Sequence, residues 1–247
     1  MAGIIYLVGL GPGDAAHLTP QAKESLKKAV VVIGNKESLA LAARFLRGKE
    51  AISLDRNPVE RARLAVEKAG AGSSVAILSP GHPGVYAIAS TLFTYLKDNN
   101  LDLPVEVIAG LTVADYAAAR LGSPLGADHA VVSLADRAGE WGNTKRRLAA
   151  ALAAGFVLVI YNPRGRSGGA RLRSLLKLAA GFRQPRTPVG FVTSAAGKRE
   201  RVGITTLGAL DLKDVKTDTL LIIGSSTTYI YRGRMVTPRP YKAGTGY

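Results

Sequence analysis

The stretch VAILSPGHPGVYAIASTLFTYL, residues 75–96, joins an apolar run to a helix-like segment through a loop with two prolines and two glycines. An unbroken apolar run bounded by turn residues is typical of a strand that is buried on both faces of a sheet. Gly81 and Gly84 leave room for a ligand to meet the backbone, and Pro80 and Pro83 restrict the loop. Because ligands in open α/β sheets bind outside the carboxyl ends of the strands, this loop is a candidate site.

The same order of strand, loop and helix recurs through the first half of the chain. Further strands are predicted at IIYLVGL (4–10), VVVIG (30–34) and VEVIA (105–109). The helix after the first strand has Thr19 at its predicted N-cap and Pro20 at its first position. Two more helices are predicted at 36–48, closed by Gly48, and at 57–72. We therefore expect a doubly wound, mainly parallel α/β domain over residues 1–122.

A turn-rich segment, LGSPLGAD (121–128), separates this half from a second set of elements. The predicted strands are HAVVSLAD (129–136), FVLVIYN (156–162), TPVGFVTSA (187–195), ERVGITTL (200–207) and DTLLIIGSS (218–226), and the predicted helices cover 142–154 and 169–181. The end, TTYIYRGRMVTPR (227–239), predicts two antiparallel strands joined through Arg232 and Gly233. Residues 123–247 are expected to form a second α/β domain with different strand connections.

The composition is typical of a globular protein and excludes several kinds of site. The 247 residues are 47% hydrophobic, enough to bury one large core or two modest ones. The chain has no cysteine, which excludes disulfides, thiolate metal sites and a cysteine nucleophile, and its three histidines show no ligand spacing. We therefore predict no metal site. No apolar run approaches the roughly 20 residues that span a bilayer, and the first residues do not resemble a secretory signal, so a cytoplasmic protein is expected.

The chain is strongly basic, with 33 lysines and arginines against 18 acidic residues and a formal net charge of +15. Such an excess favours a polyanionic partner: a nucleic acid, a membrane surface or a small molecule with many carboxylates. It also keeps a chain soluble without any partner. The basic residues are scattered and form no long tail, so charge alone leaves these alternatives open.

The first glycine loop, GLGPGD (9–14), follows the first predicted strand. It lacks the third glycine of the dinucleotide fingerprint, and the second strand ends without the acidic residue that binds a ribose. It also lacks the Gly-Lys-Ser/Thr of a Walker loop. What remains is a stiff loop with one carboxylate, Asp14, which either satisfies backbone amides or takes part in chemistry.

Three more loops follow β-rich runs in the same way: IAGLTVADY (108–116), IYNPRGR (160–166) and VTSAA (192–196). If each ends a strand, the five loops are predicted to converge at the carboxyl edges of two sheets. His82, in the second loop, is either a surface loop histidine or a chemical group.

In this ordered set the chain resembles the tetrapyrrole methylases, S-adenosylmethionine-dependent methyltransferases that act on precorrins, and it is most similar to their precorrin-3B C-17 branch, which includes the cobalt-factor III enzymes of the anaerobic pathway. The stretches that carry the resemblance are VGLGPGDAAHLTPQA, SPGHPGVYAIAS, AGLTVADYAAARLGSPLGADHAVVSLAD, YNPRGR, RTPVGFVTSAAGKRER and IIGSSTTYIYRGRMVTPRPY. Two loops depart from the family. His82 replaces the aspartate of the usual Ser-Gly-Asp-Pro, and AGLTV replaces the usual Pro-Gly-Val-Thr/Ser-Ala.

The resemblance implies two α/β domains of the tetrapyrrole methylase type, the first with a mainly parallel sheet and the second with a mixed sheet, and an active site in the cleft between them. It implies methylation of C-17 of a precorrin-3B or cobalt-factor III type tetrapyrrole with ring contraction. The methyl donor would be S-adenosylmethionine and the product S-adenosylhomocysteine. A homodimer is expected, without nucleic acid or membrane partners. The polycarboxylate acceptor would give the basic charge a partner.

The resemblance also assigns residues. Those that would hold the donor are Gly81, His82, Val85, Tyr86, Gly110, Leu111, Thr112, Tyr161, Asn162, Val192, Ser194 and Ala195. Those that would meet the acceptor are Gly11, Pro12, Gly13 and Asp14, with Asp14 as an acid, a base or an orienting group. Two alternatives stay open: the same fold acting on RNA or a protein, and a diverged binder that no longer transfers methyl groups.

Overall fold

Backbone contacts divide the protein into two compact units, Met1–Val113 and Ala114–Tyr247. The computed structural model describes residues 2–55, 57–135, 141–165 and 169–239. Four residues of the stretches discussed above lie outside the described residues: Asp136, Arg166, Pro240 and Tyr241. The domain boundary expected after residue 122 lies one helix later than the division by contacts, and it stays a prediction.

The first unit is a five-stranded sheet with helices. Its elements are β1 (Ile5–Gly9), α1 (Pro20–Lys28), β2 (Val31–Gly34), α2 (Lys36–Leu41), β3 (Glu50–Ser53), α3 (Pro58–Gly70), β4 (Val75–Ser79), α4 (Ile88–Asp98) and β5 (Val105–Ile108), with short 3-10 helices at Ala15–His17 and Ala43–Phe45. The strand order is β3-β2-β4-β1-β5, and every pair of neighbours is parallel. The predicted parallel sheet is confirmed.

Two core layers form on the two faces of this sheet because side chains alternate along each strand. Ile5 and Leu7 of β1 pack with α3 and α4, whereas Tyr6 and Val8 pack with α1. Such two-sided burial explains the unbroken apolar runs of β1 and β4. At α1 the predicted cap is also confirmed, since Thr19 Oγ1 accepts a hydrogen bond from the Ala22 amide at 3.1 Å.

The sequence did not predict β3, and it predicted one helix where two short ones lie. Three of the four residues of β3 are exposed at the edge of the sheet, so the sequence has no apolar run there from which a strand could be predicted. The helix predicted over 36–48 ends at Leu41, and a 3-10 turn continues to Phe45. Gly48, with φ of 75°, still closes the segment in the left-handed region that favours glycine.

The second unit begins with a helix and holds two further sheets. Its elements are α5 (Val113–Leu121), β6 (Gly122–Ser123), β7 (His129–Ser133), α6 (Trp141–Ala153), β8 (Val157–Tyr161), α7 (Ala170–Ala179), β9 (Pro188–Thr193), β10 (Arg201–Thr206), β11 (Thr219–Ile223), β12 (Tyr229–Tyr231) and β13 (Arg234–Val236). The larger sheet has the order β10-β9-β11-β8-β7, in which only β7 and β8 are parallel neighbours. It is the mixed sheet that was expected.

A small third sheet joins β12, β13 and β6. β12 and β13 pair antiparallel, as predicted from the Arg-Gly turn between them. β6 pairs in parallel with β13 and was not predicted, because two residues inside the turn-rich LGSPLGAD segment give no strand pattern. No helix among the described residues is long and apolar enough to cross a membrane.

Close packing ties α5 to the larger sheet of the second unit. A Cβ on Gly190 of β9 would lie only 2.6 Å from the side chain of Leu121, the last residue of α5. Only glycine at this place in β9 lets the helix end approach so closely. The contact explains why α5 falls with the second unit, although it directly follows the loop after β5.

Candidate functional site

In the first unit, the loops after β1 and β4 pair with each other. The Gly81 amide donates a hydrogen bond to the Gly11 carbonyl at 2.8 Å, and the Gly11 amide donates to the Gly81 carbonyl at 3.3 Å. The two glycines form an isolated antiparallel bridge and have φ values of 76° and 64°. The positive φ values favour glycine, and the bridge holds both loops at the carboxyl edge of the sheet.

The loop after β5 crosses these two at van der Waals distance. A Cβ on Gly110 would lie 2.1 Å from the Gly81 carbonyl oxygen, and a Cβ on Gly9 would lie 2.5 Å from the Gly110 amide nitrogen. No side chain fits at either position. The structure therefore brings three of the predicted loops together and packs them backbone against backbone.

His82 makes the turn that an aspartate would make. Its Nδ1 accepts a hydrogen bond from the Gly84 amide, two residues on, at 2.9 Å. An acceptor nitrogen carries no proton, so this bond assigns the tautomer that carries its ring proton on Nε2. A bond to the amide two residues on is the one that Asp side chains make in turns. His82 thus supplies a side-chain acceptor that shapes the loop.

Asp14 caps the 3-10 helix after the first loop. Its Oδ1 accepts hydrogen bonds from the amides of Ala16 at 3.0 Å and His17 at 3.1 Å, and it lies 2.5 Å from His17 Nδ1. Partial burial alone would raise the pKa of Asp14, but the hydrogen bonds from the His17 side chain and the two amides lower it below its ordinary value. Asp14 is therefore a carboxylate at neutral pH, suited to accept or orient a group. Its acid–base role stays a prediction.

In the second unit, the predicted residues lie at the ends of β8 and β9. The two strands run in the same direction because β11, which lies between them, is antiparallel to both. The Tyr161 hydroxyl accepts a hydrogen bond from the Ala114 amide at 3.2 Å, and Asn162 Nδ2 donates to Ser133 Oγ at 3.0 Å. Val192 is fully buried. Any contact of Val192 with a ligand would use its backbone.

The loop after β9 carries two non-glycine residues in the left-handed region, Ser194 with φ of 49° and Ala196 with φ of 56°. Ser194 Oγ donates a hydrogen bond to Asp218 Oδ2 at 2.6 Å. The Ala196 amide donates to Glu200 Oε2 at 2.7 Å. Two carboxylates thus hold the loop in an unfavourable backbone conformation.

Glu200 also binds α5, since it accepts from the Tyr116 hydroxyl at 2.6 Å and from Arg120 Nε at 2.8 Å. Partial burial alone would raise the pKa of Glu200, but the hydrogen bonds from Tyr116, Ala196 and Arg120 lower it. The carboxylate is charged at neutral pH, and so it attracts all three donors strongly.

Comparisons with known proteins identify the family of the chain. The sequence profile of the Tetrapyrrole (Corrin/Porphyrin) Methylases matches residues 4–211. The chain belongs to this family.

Curated relatives of this methylase match along nearly its whole length. A protein of Salmonella typhimurium named probable cobalt-factor III C(17)-methyltransferase is 37% identical over 96% of this chain and 99% of its own. A Sinorhizobium precorrin-3B C(17)-methyltransferase is 32% identical over 93% of this chain and 92% of its own. A Priestia megaterium cobalt-factor III methyltransferase is 34% identical over 98% of this chain, which spans only 46% of that relative's length.

Solved structures give the same family. The crystal structure of the methyltransferase CobJ superposes with a TM-score of 0.89 at 26% identity, covering 96% of this chain and all of the other. A uroporphyrin-III C-methyltransferase of Thermus thermophilus in complex with S-adenosylhomocysteine has a TM-score of 0.67 at 27% identity, covering 90% of this chain and 97% of the other.

Within this methylase, sequence reasoning missed the side chains that hold the loops. Glu200, Asp218 and Tyr116 were not among the assigned site residues, although each lies in a stretch quoted above. Tyr116 and Glu200 are 84 residues apart, and no linear pattern pairs them. In the described ranges no three or more His, Cys, Asp or Glu side chains lie close enough to hold a metal ion.

Proposed function

We propose that the chain is an S-adenosylmethionine-dependent C-methyltransferase of corrin synthesis, which methylates C-17 of a precorrin-3B or cobalt-factor III type tetrapyrrole with ring contraction. The observation that carries the proposal is the 37% identity, over 96% of this chain and 99% of the relative, to a protein named for C-17 methylation. The substrate, the position of methylation and the ring contraction come from that likeness.

The first unit supports donor binding through its backbone. The junction of the Gly9, Gly81 and Gly110 loops has no room for side chains, and the Gly11–Gly81 bridge fixes it before any ligand arrives. A site that is already ordered loses little conformational entropy when it binds. We assign the donor contacts there to Gly81, His82, Val85, Tyr86, Gly110, Leu111 and Thr112. The contacts from the second unit are assigned to Tyr161, Asn162, Val192, Ser194 and Ala195.

The proposed methyl transfer does not require a covalent bond between the protein and either substrate. S-adenosylmethionine supplies a methyl group on a sulfonium, whose bond to sulfur breaks as the bond to the acceptor carbon forms. The residues of this chain would hold both partners in line and exclude water, which is the main source of rate in such a displacement. No protein nucleophile is needed.

The acceptor contacts are assigned to Gly11, Pro12, Gly13 and Asp14. A tetrapyrrole of this class bears acetate and propionate arms, which the net charge of +15 attracts. A charged Asp14 repels those arms, so we assign it to another part of the macrocycle, which it orients or with which it exchanges a proton. Its lowered pKa keeps Asp14 ionised at neutral pH, which suits a group that accepts hydrogen bonds from the substrate and orients it.

The non-catalytic alternative rested on His82 and Ala109, which replace family residues. The bond from Gly84 to His82 Nδ1 removes half of that argument, because the loop keeps its turn. No contact described above favours an RNA or protein acceptor. A homodimer in the cytoplasm remains part of the proposal, and light scattering of the purified protein at several concentrations tests the dimer.

Titration calorimetry tests donor binding first. We expect S-adenosylmethionine and S-adenosylhomocysteine to bind the folded protein with micromolar dissociation constants. Turnover is then measured with precorrin-3B and with cobalt-factor III, following the mass gain of one methyl group and the absorbance change of ring contraction. Absence of donor binding overturns the proposal, and binding without turnover of either tetrapyrrole identifies a binder instead.

A further inference from the structure

The loop after β9, residues 194–200, is held in a conformation that its sequence does not favour. Ser194 and Ala196 have φ values of 49° and 56°, although neither is glycine. In this region the Cβ of each residue crowds the following carbonyl oxygen, which the right-handed region avoids. A loop with this conformation persists only when its surroundings hold it, and strained loops of this kind concentrate at functional sites.

Glu200 is the centre of the contacts that hold the loop. Its carboxylate accepts from the Ala196 amide at 2.7 Å, from the Tyr116 hydroxyl at 2.6 Å and from Arg120 Nε at 2.8 Å. The Glu200 side chain is only 14% exposed, so solvent screens these bonds weakly. Tyr116 and Arg120 are four residues apart and share one face of α5, which lets a single carboxylate bind both.

The held segment includes two residues that we assign to the donor site. Ser194 lies two residues before Ala196, and Ala195, which lies between them, is 8% exposed. The Gly197 amide closes the turn by donating to the Ser194 carbonyl at 2.9 Å. The bond from Glu200 therefore fixes the residue that directly follows Ala195.

We propose that Glu200 is a positioning residue of the methyltransferase, whose carboxylate holds the loop after β9 in the conformation that presents Ser194 and Ala195 to the methyl donor. This inference rests on the proposed function. Glu200 sets donor affinity through the loop and does not touch the donor. A loop ordered before binding saves the entropy of ordering it on binding, so the carboxylate acts on affinity more than on the chemical step.

The decisive variant is Glu200→Gln, which keeps the side-chain shape and removes the charge. In glutamine one carboxylate oxygen becomes an NH2 donor. It faces either Arg120 Nε, which donates to Oε1, or the Ala196 amide and the Tyr116 hydroxyl, which donate to Oε2, so the three bonds cannot all persist. We expect the dissociation constant of S-adenosylhomocysteine to rise about tenfold, the effect of losing one hydrogen bond to a charged group. KM for S-adenosylmethionine should rise in parallel while kcat changes less than about twofold.

Two further variants separate positioning from general stability. Asp214→Asn breaks the neighbouring exposed pair of Arg201 Nη2 and Asp214 Oδ1, 3.2 Å apart, without touching the loop, and should leave the dissociation constant unchanged. Arg120→Met removes one of the three donors from an exposed position on α5, and should raise the dissociation constant about threefold without preventing folding.

Calorimetry is run well below the melting temperature of each variant. If the wild-type chain does not bind S-adenosylhomocysteine, the proposed function fails. If the wild type binds and Glu200→Gln binds equally well, the positioning role is overturned while the proposed function stands. Should Glu200→Gln not fold, Arg120→Met decides: a raised dissociation constant supports the role, and an unchanged one overturns it.

Discussion

The two units hold their candidate site loops by opposite means. In the first unit the loops of Gly9, Gly81 and Gly110 cross backbone against backbone, and a single Cβ would break the junction. In the second unit the loop after β9 carries side chains in a strained conformation, and the carboxylates of Asp218 and Glu200 hold it. One half depends on the absence of side chains, and the other on their hydrogen bonds.

The difference predicts how each half responds to mutation. A steric junction is all or none, because backbone atoms 2–3 Å from an added Cβ have nowhere to move. A hydrogen-bonded loop weakens in steps as each partner is removed. Added side chains at the glycine junction of the first unit should therefore abolish folding or binding, whereas changes in the loop after β9 should weaken the affinity in steps.

The largest effect is expected for Gly110→Ala. The new Cβ would lie 2.1 Å from the Gly81 carbonyl oxygen. We expect the free energy of unfolding to fall by about 3 kcal/mol or more, the upper end for overpacking, and S-adenosylhomocysteine binding to be lost. Urea denaturation and calorimetry measure the two effects.

Gly70→Ala is the matched control in the same unit, since a Cβ there meets nothing within 4 Å and Gly70 ends α3. It should leave stability unchanged or raise it by up to about 1 kcal/mol. A Gly110→Ala protein as stable as the control, with normal binding, would show that the junction is not steric.

The second largest effect concerns Asp14, the one charged side chain of the first loop. Asn is as good an N-cap as Asp, so Asp14→Asn keeps the 3-10 helix and removes only the charge. We expect turnover to fall about a hundredfold, the low end for removal of a general acid or base, with donor affinity unchanged. Steady-state kinetics and calorimetry on the same sample separate the two, and unchanged turnover would reduce Asp14 to a helix cap.

A smaller effect is expected at His82, where the first unit uses a side chain as the second unit does. His82→Ala leaves the Gly84 amide without its acceptor, which corresponds to about 1 kcal/mol and about a fivefold weaker donor affinity. His82→Asp supplies a carboxylate oxygen at the same place and should restore the wild-type affinity within about twofold. If the His82→Ala and His82→Asp proteins bind the donor with equal affinity, the turn does not depend on this hydrogen bond.

Most of the fold was predictable because the core strands appear in the sequence as unbroken apolar runs. β1 and β4 are buried on both faces, so each reads as an apolar run. The edge strand β3 and the two-residue β6 carry no such run, and both escaped prediction.

The site was predictable only where a loop follows such a strand. Glycine loops at strand ends mark positions in sequence, and the structure brings three of them together. The contacts of Glu200 with Tyr116 and Arg120 join residues 84 and 80 positions apart. Only the packing of α5 against the second unit creates them, so no local pattern could reveal them.

The smallest effect expected is a pH dependence of stability. It should arise from the charged Glu200 carboxylate in the second unit, whereas the glycine junction of the first unit carries no charge. The folded-state pKa of Glu200 lies below its ordinary value of 4.5. Its stabilising contribution is therefore complete above pH 4.5 and is lost as pH falls through the lower folded-state value. We expect the wild type to exceed Glu200→Gln in unfolding free energy by no more than about 1 kcal/mol at pH 7, with a difference that shrinks below pH 4.5. Urea denaturation of both proteins from pH 7 to pH 3 measures this difference in unfolding free energy. A difference that stays constant with pH would mean that the charge of Glu200 does not help to hold the loop after β9.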